Sequence, residues 1–193
     1  MLGLKLATDP AWVNLAERSI RDILTDHAYC EQKAASTCIG LIQLYPDKDF
    51  LVDQLAPVVN EEWSHFRLVL EEIKKRNLKL GRQRKDEYAL SLKQFLVKGG
   101  SEESRFLDRI LMSALIEARS CERFRLFSLE INDVGLKIFY HKLMIAEANH
   151  YRLFIDIAEH YCDRSKVKKR WNEWVEYETK LLKEMELRGD RMH

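Results

Sequence analysis

A doubled motif constrains this chain more than any other feature of its sequence. Glu62 and His65 frame the first copy, and Glu147 and His150 frame the second; in both, an aromatic residue, an arginine and a leucine follow the histidine. Residues three apart lie on one face of a helix, so each glutamate and its histidine can reach the same inward point. Each copy therefore predicts a helix with a metal-ligating face.

Each copy also has a partner glutamate upstream. Glu31 stands 31 residues before Glu62, and Glu117 stands 30 residues before Glu147. Both partners lie on apolar stripes, where an uncompensated carboxylate is very costly to bury. Two helices with one Glu and two with Glu-x-x-His form the ligand set of di-iron and di-manganese carboxylate bundles. We therefore expect an all-α, ferritin-like four-helix bundle with additional short and C-terminal helices, and six metal ligands: Glu31, Glu62, His65, Glu117, Glu147 and His150.

The composition agrees with long helices. Only 7 Gly and 3 Pro occur among 193 residues, which disfavours a fold of strands and turns. The apolar periodicity predicts one helix from Pro10 to Tyr45, followed by helices over 49–77, 86–97, 101–131, 134–161 and 165–188. No linker or shift in composition divides the chain, so we expect a single domain over residues 1–193. Its bundle core should span about 9–161, with the extra C-terminal helix over about 165–188.

The cysteines and the hydropathy of the chain indicate in which cellular compartment the protein is expected. The four cysteines form no Cys-x-x-Cys pair and are expected to be reduced thiols. No signal-peptide pattern opens the chain, and no apolar run approaches the ~20 residues of a membrane span. We therefore expect a cytoplasmic protein with no membrane partner.

The ligand types favour iron. Four carboxylates and two imidazoles suit two iron ions with open coordination positions, whereas zinc usually takes more histidine or cysteine in a closed set. A single Glu-x-x-His is common in glutamate-rich helices, but two copies with matched upstream glutamates are hard to explain by chance. In the expected arrangement Glu31 and Glu117 are terminal ligands, and Glu62 and Glu147 bridge the two metals.

The sequence leaves one ligand position with an alternative. Glu122 also falls on a partly apolar stripe and competes with Glu117; it can instead orient a ligand or form an ion pair with Arg119 or Arg125. The spacing match favours Glu117. Four further residues are candidates for orienting the ligands, although each of these types is more often a surface charge: Asp26, His27, Arg67 and Arg152. His141 and His160 lie off the ligand stripe.

Two basic clusters are candidates for contacting RNA phosphates. The first runs over Lys74–Lys85 and the second over Lys166–Arg170. A net charge of +1 gives no global attraction to nucleic acid, so any binding must come from such local patches. Basic runs are more often solvated faces. Trp171 and Trp174 can stack on bases or, more commonly, pack between helices.

Around the ligands the sequence resembles MiaE, a family of bacterial tRNA hydroxylases, over nearly the whole bundle from Thr8 to Tyr161. Four segments carry the resemblance: 26–35, 61–66, 115–124 and 147–151. The run Glu-Ala-Arg-Ser-Cys-Glu-Arg-Phe that begins at Glu117 is much more specific than the bare ligand pattern. The chain departs from the family at Asn149, where the family tends to have arginine, which leaves the metal ligands intact but affects their surroundings.

The resemblance implies a non-haem di-iron monooxygenase with no catalytic residues beyond the metal ligands. Its substrate would be the isopentenyl group of 2-methylthio-isopentenyladenosine, the hypermodified nucleoside beside the anticodon in tRNA. It would use two iron ions, dioxygen as co-substrate, and electrons from an external reductase or electron-transfer protein. The chain itself shows no flavin or nicotinamide motif.

Two other functions remain open at this point. A ferritin-like iron-handling or peroxide-scavenging protein would share the six ligands but need no RNA surface. The chain lacks the Cys-x-x-Cys pairs of a rubredoxin module, which argues against a rubrerythrin-like version. A helical interaction protein with a purely structural metal ranks lowest, because it gives the open coordination positions no purpose.

Overall fold

The described residues of the chain are helical and contain no strand. A computed structural model describes residues 2–192 and contains seven helices over that range. In chain order they are α1 Ala11–Glu17, α2 Ile20–Leu44, α3 Asp49–Lys75, α4 Glu87–Gln94, α5 Glu102–Glu130, α6 Val134–Tyr161 and α7 Arg164–Glu184. The all-α class is therefore as predicted. None of these helices is long and apolar enough to cross a membrane.

The described residues group into two compact units. The α2–α3 unit comprises Trp12–Lys85 and Arg188–Met192, and the α5–α6 unit comprises residues 2–11 and 86–187. The single-domain organisation expected from the sequence stays a prediction.

The α2–α3 unit is built on a helical hairpin. The short connection containing Pro46 ends α2 at Leu44, as predicted, and α3 begins at Asp49. Proline lacks the backbone N–H that would continue a helix, and such short connections place consecutive helices side by side. Pro57 lies inside α3 on its exposed side.

The predicted single helix from Pro10 to Tyr45 is wrong at its start, because the chain turns at Arg18 and Ser19. The Ser19 amide donates to the Ala16 carbonyl at 2.9 Å, which ends α1, and α2 begins at Ile20. The indole Nε1 of fully buried Trp12 donates to the backbone carbonyls of the C-terminal segment at 3.1 and 3.2 Å. The break between α1 and α2 therefore occurs where no glycine or proline lies, and it is accompanied by the contact of Trp12 in α1 with the C-terminal segment.

Helix starts in the α5–α6 unit follow local capping signals. Ser101 caps α5, Asp133 caps α6 and Asp163 caps α7, each accepting backbone N–H bonds through its side chain. Such caps satisfy amides that have no partner within the first turn. The predicted bounds of α6, 134–161, are those observed.

Helix α7 packs against the interior of its unit through its tryptophans. Trp174 is fully buried and its Nε1 donates to Asp108 at 3.3 Å, while Trp171 is 9% exposed. Both residues are therefore packing aromatics, and neither is available for stacking on an RNA base. The helix ends at Glu184, slightly before the predicted end at Arg188.

Candidate metal centre

The α2–α3 unit brings three predicted ligands together. Glu31 lies on α2, whereas Glu62 and His65 lie one turn apart on α3, and all three side chains are buried. The Nδ1 atom of His65 is 3.5 Å from a Glu31 oxygen and 3.6 Å from a Glu62 oxygen. One ligand atom from each residue lies within 4.8 Å of the others, which is close enough to share a metal ion.

His27 holds the Glu31 carboxylate in place. It lies one turn before Glu31 on α2, is fully buried, and its Nε2 is 2.5 Å from Glu31 Oε1. Burial by itself raises the pKa of Glu31, but the charge and hydrogen bond of His27, together with the hydrogen bond from His65, hold that pKa well below its ordinary value. Glu31 is therefore ionised and oriented, as a metal ligand must be.

His65 is strongly coupled to the carboxylates around it. Burial lowers the pKa of its imidazole, but the hydrogen bonds and negative charges of Glu31 and Glu62 outweigh burial and raise that pKa to about 10. Without a metal the ring is therefore protonated at neutral pH. Because a ligating imidazole nitrogen must be unprotonated, metal binding at His65 displaces a proton.

The α5–α6 unit repeats the arrangement. Glu117 lies in the middle of α5, and Glu147 and His150 lie one turn apart on α6, with all three side chains buried. One ligand atom from each residue lies within 4.8 Å of the others. The internal repeat of the sequence is therefore a repeat of local geometry, with one carboxylate on the first helix of each pair and Glu-x-x-His on the second.

Glu122 has other partners than a metal. Its carboxylate accepts hydrogen bonds from the Thr8 amide at 3.0 Å, from the Thr8 hydroxyl at 2.6 Å and from Arg119 at 3.0 Å. A carboxylate held by an arginine, a hydroxyl and an amide already has strong partners for its charge. This geometry favours Glu117 as the ligand and gives Glu122 the ion-pair role that the sequence left as an alternative.

The other candidate residues lie apart from the ligands or have structural partners. Asp26 accepts from Arg191 and from the Met192 amide, both at 2.8 Å, and so anchors the C-terminal segment. The remaining positions that the sequence singled out are exposed: Arg67, His141, Asn149, Arg152 and His160. Of the four residues expected to orient ligands, only His27 is seen to contact one.

The donor set fits iron. We name each group of three predicted ligands a half-site: Glu31, Glu62 and His65 in one unit, and Glu117, Glu147 and His150 in the other. Each half-site offers two carboxylates and one imidazole, which are hard oxygen donors with a single nitrogen, and it contains no cysteine. A closed zinc site usually has more nitrogen or sulfur donors. A buried group of this composition is suited to binding an ion that activates oxygen.

Ion pairs neutralise part of both basic clusters. In the first, Lys75 and Arg76 contact Glu72, and Arg84 contacts Asp190. In the second, Lys166 contacts Glu103, and Arg170 contacts Asp108 and Glu173. Four members of the first cluster are exposed and form no ion pair within residues 2–192: Lys74, Lys79, Arg82 and Lys85.

Comparisons with known proteins agree with this site. The model of the family described as tRNA-(MS[2]IO[6]A)-hydroxylase (MiaE) matches residues 2–193. A Pseudomonas putida protein named tRNA 2-(methylsulfanyl)-N(6)-isopentenyladenosine(37) hydroxylase is 35% identical, covering 83% of this chain and 77% of that protein. A Salmonella typhimurium protein of the same name is 26% identical, covering 81% of this chain and 75% of that protein.

A solved structure shows the same fold. It is titled protein 43 with aldehyde deformylating oxygenase activity, from Synechococcus. It superposes with a TM-score of 0.92 at 33% identity, covering 98% of this chain and 94% of that one. The ferritin-like di-iron fold class predicted from the sequence is thereby confirmed. The match to the family model over residues 2–193, together with the Pseudomonas relative, places this chain in the MiaE family of tRNA hydroxylases.

Proposed function

We propose that this chain hydroxylates the isopentenyl group of 2-methylthio-isopentenyladenosine beside the anticodon of tRNA. The observation that carries the proposal is the family match over residues 2–193, in a chain that keeps both Glu and Glu-x-x-His half-sites buried. The Pseudomonas and Salmonella relatives carry this nucleoside in their names.

The six predicted residues are proposed to hold one pair of iron ions. Glu31 and Glu117 would each supply a terminal carboxylate, His65 and His150 would each supply one nitrogen, and Glu62 and Glu147 would supply the remaining carboxylates. The support is that each half-site supplies the same three donors at the same helical spacing.

When bound, the iron pair supplies the activation of dioxygen that hydroxylating an unreactive C–H bond requires. The chain's own residues prepare the site. The six ligand residues are at most 6% exposed, which keeps bulk water away from them. His27 fixes the orientation of Glu31, and His65 gives up its proton when it becomes a ligand.

Dioxygen as co-substrate and an external source of two electrons complete the proposal. Hydroxylation with dioxygen consumes two electrons, because one oxygen atom enters the product and the other leaves as water. The sequence holds no flavin or nicotinamide motif, so a separate reductase or electron-transfer protein must supply them. A tRNA substrate agrees with the cytoplasmic location expected from the sequence.

A second candidate function comes from the Synechococcus structure. Its title gives aldehyde deformylating oxygenase activity, and it is 33% identical over 98% of this chain. An aldehyde substrate would use the same metal ligands but no RNA surface. An iron-handling or peroxide-scavenging protein would likewise use the same metal ligands and need no RNA surface.

One assay separates these functions. Iron-loaded protein with a chemical or enzymatic reductant and dioxygen is given three substrates separately: tRNA carrying 2-methylthio-isopentenyladenosine, an aldehyde, and hydrogen peroxide. The proposal expects a hydroxylated nucleoside and no comparable turnover of the other two. Turnover of aldehyde or peroxide with unmodified tRNA nucleosides would replace the proposed function by the corresponding alternative.

A further inference from the structure

A stacked aromatic pair, formed by exposed Trp63 and half-buried Phe66, stands beside the ligands of α3. Trp63 is 47% exposed, and its ring stacks on that of Phe66 with centroids 4.8 Å apart and an interplanar angle of 26°. The other tryptophans of the chain, Trp12, Trp171 and Trp174, are all buried. Large exposed apolar groups of this kind often mark binding surfaces. Trp63 is the exception that needs an explanation.

The pair is held by the same helical turns as the metal ligands. Trp63 directly follows Glu62, and Phe66 directly follows His65. Successive residues of a helix are about 100° apart around its axis, so the aromatic rings lie on a face adjacent to the ligand face. A molecule that contacts this pair is therefore close to the α3 ligands.

Two cations continue the same face of the helix. Arg67 and Lys74 fall within about 40° of Trp63 around α3, and Lys74 lies about 17 Å further along the axis. Both are exposed and form no ion pair within residues 2–192. Two carboxylates lie between them in sequence: Glu72 is buried and pairs with Lys75 and Arg76, and Glu71 is exposed. Lys79, Arg82 and Lys85, equally exposed and without ion pairs to described residues, follow in the next segment.

We propose that Trp63, Phe66, Arg67 and Lys74, here named the Trp63 face, bind the unpaired nucleotides of the anticodon loop. The aromatic pair stacks on a base beside the modified adenosine, and the two cations contact backbone phosphates. This inference rests on the proposed function. Single-stranded RNA is recognised by stacking on aromatic and arginine planes combined with positive charge along the strand. An acidic protein surface would also be attracted to the two cations, so it is the stacked aromatic pair that favours a nucleotide base.

Binding measurements on the iron-loaded chain test the inference. The probe is a labelled RNA hairpin with an anticodon loop that carries 2-methylthio-isopentenyladenosine, followed by fluorescence anisotropy. Trp63→Ala should weaken binding about tenfold or more, because it removes the aromatic ring on which a base stacks. Trp63→Phe should keep most of the affinity, because an aromatic ring remains at that position. The double change R67A/K74A should weaken binding and reduce the slope of log affinity against log salt by about 1.4.

Matched controls use exposed residues of helix α6. Ile138→Ala removes an apolar side chain that is 56% exposed on α6, and Lys142→Ala removes an exposed charge on the same helix. Both should bind the hairpin like the unchanged protein. Iron content and thermal unfolding are measured for every variant, so that loss of metal or of fold is distinguished from loss of RNA contact.

Hydroxylation of the same hairpin separates this inference from the proposed function. If the unchanged protein hydroxylates the RNA while Trp63→Ala binds it with undiminished affinity, the Trp63 face is not the RNA site and the proposed function stands. The inference is equally overturned if Trp63→Ala keeps RNA affinity but slows reduction by an electron-transfer protein, since the face then serves a protein partner. If the unchanged protein neither binds nor hydroxylates any RNA, both proposals fail.

Discussion

His27 Nε2 lies 2.5 Å from Glu31 Oε1, inside the α2–α3 unit, with both side chains buried. One predicted metal ligand is thereby held by a neighbour one helical turn away. Removing this contact should reduce metal affinity without removing a ligand.

We expect His27→Gln to keep both irons at saturation but to bind iron about 10- to 100-fold more weakly, as is typical when a residue that orients a ligand is lost. Competition against a chelator measures this affinity. His141→Gln, at an exposed position, is the control and should have no effect. Equal affinity of His27→Gln and the unchanged protein would show that the contact does not support the site.

Substitution of Glu117 should change the number of irons bound per chain, whereas substitution of Glu122 should not. Glu117→Gln is expected to lose one of two irons per chain, because a neutral amide is a poor substitute for a terminal carboxylate ligand. Glu122→Gln should retain both irons and instead lower the unfolding temperature, because Glu122 holds Thr8 and Arg119. Iron analysis of the two purified variants decides the point, and the reverse pattern would transfer the ligand role to Glu122.

The buried ion pair of Arg119 and Glu178 should dominate the stability of the α5–α6 unit. Arg119 donates to the two Glu178 oxygens at 2.7 and 2.9 Å, and both side chains are fully buried. Arg119→Met should lower the free energy of unfolding by about 3–5 kcal/mol, because it leaves a buried carboxylate without its cation. Denaturant unfolding measures this change.

Two comparisons show whether that loss comes from an uncompensated charge. The double change R119M/E178L should recover part of the stability, since neither Arg119 nor Glu178 then leaves a buried charge, while Glu122 still lacks its contact with Arg119. Lys5→Ala breaks an exposed pair with Glu176 and should leave stability nearly unchanged. A double variant as unstable as Arg119→Met alone would show that lost packing, rather than charge, explains the effect.

Cys121 should resist alkylation until the pH is high. Burial, followed by the negative charge of Glu122, raises the pKa of its thiol to about 11. A raised thiol pKa means that the protonated, unreactive form persists to higher pH, so the thiolate is scarce near neutrality. Iodoacetamide at pH about 8 should therefore label half-buried Cys30 well before Cys121, as followed by peptide mass spectrometry. Equal labelling rates in the folded protein would contradict this expectation.

Much of the helical architecture is predictable because its signals are local. Ser101 and Asp133 cap helices through bonds to residues three positions later, so the sequence alone indicates where α5 and α6 begin. The break before α2 is different. It accompanies a bond from Trp12 to the distant C-terminal segment, and no residue near Arg18 or Ser19 predicts it.

The same distinction applies to the functional residues. Helical spacing alone suffices to predict the burial of the six ligand candidates. Spacing favours Glu117 over Glu122 as the ligand, but it could not give the role of Glu122, because both residues are buried and that role depends on Thr8, which is far away in sequence. Nor does a basic run reveal which of its members are neutralised, since Arg84 meets its partner Asp190 only in the folded chain.

The most direct test of the account is a reaction under isotopically heavy dioxygen. Iron-loaded, reduced protein is incubated with tRNA carrying 2-methylthio-isopentenyladenosine, and the nucleosides are analysed by mass spectrometry. The account predicts one heavy oxygen atom in the isopentenyl group of that nucleoside. It also predicts that Glu117→Gln, analysed in parallel, yields little product. An unchanged nucleoside from the iron-loaded protein, or a product whose oxygen comes from water, would show that this chain is not a dioxygen-dependent hydroxylase of that nucleoside.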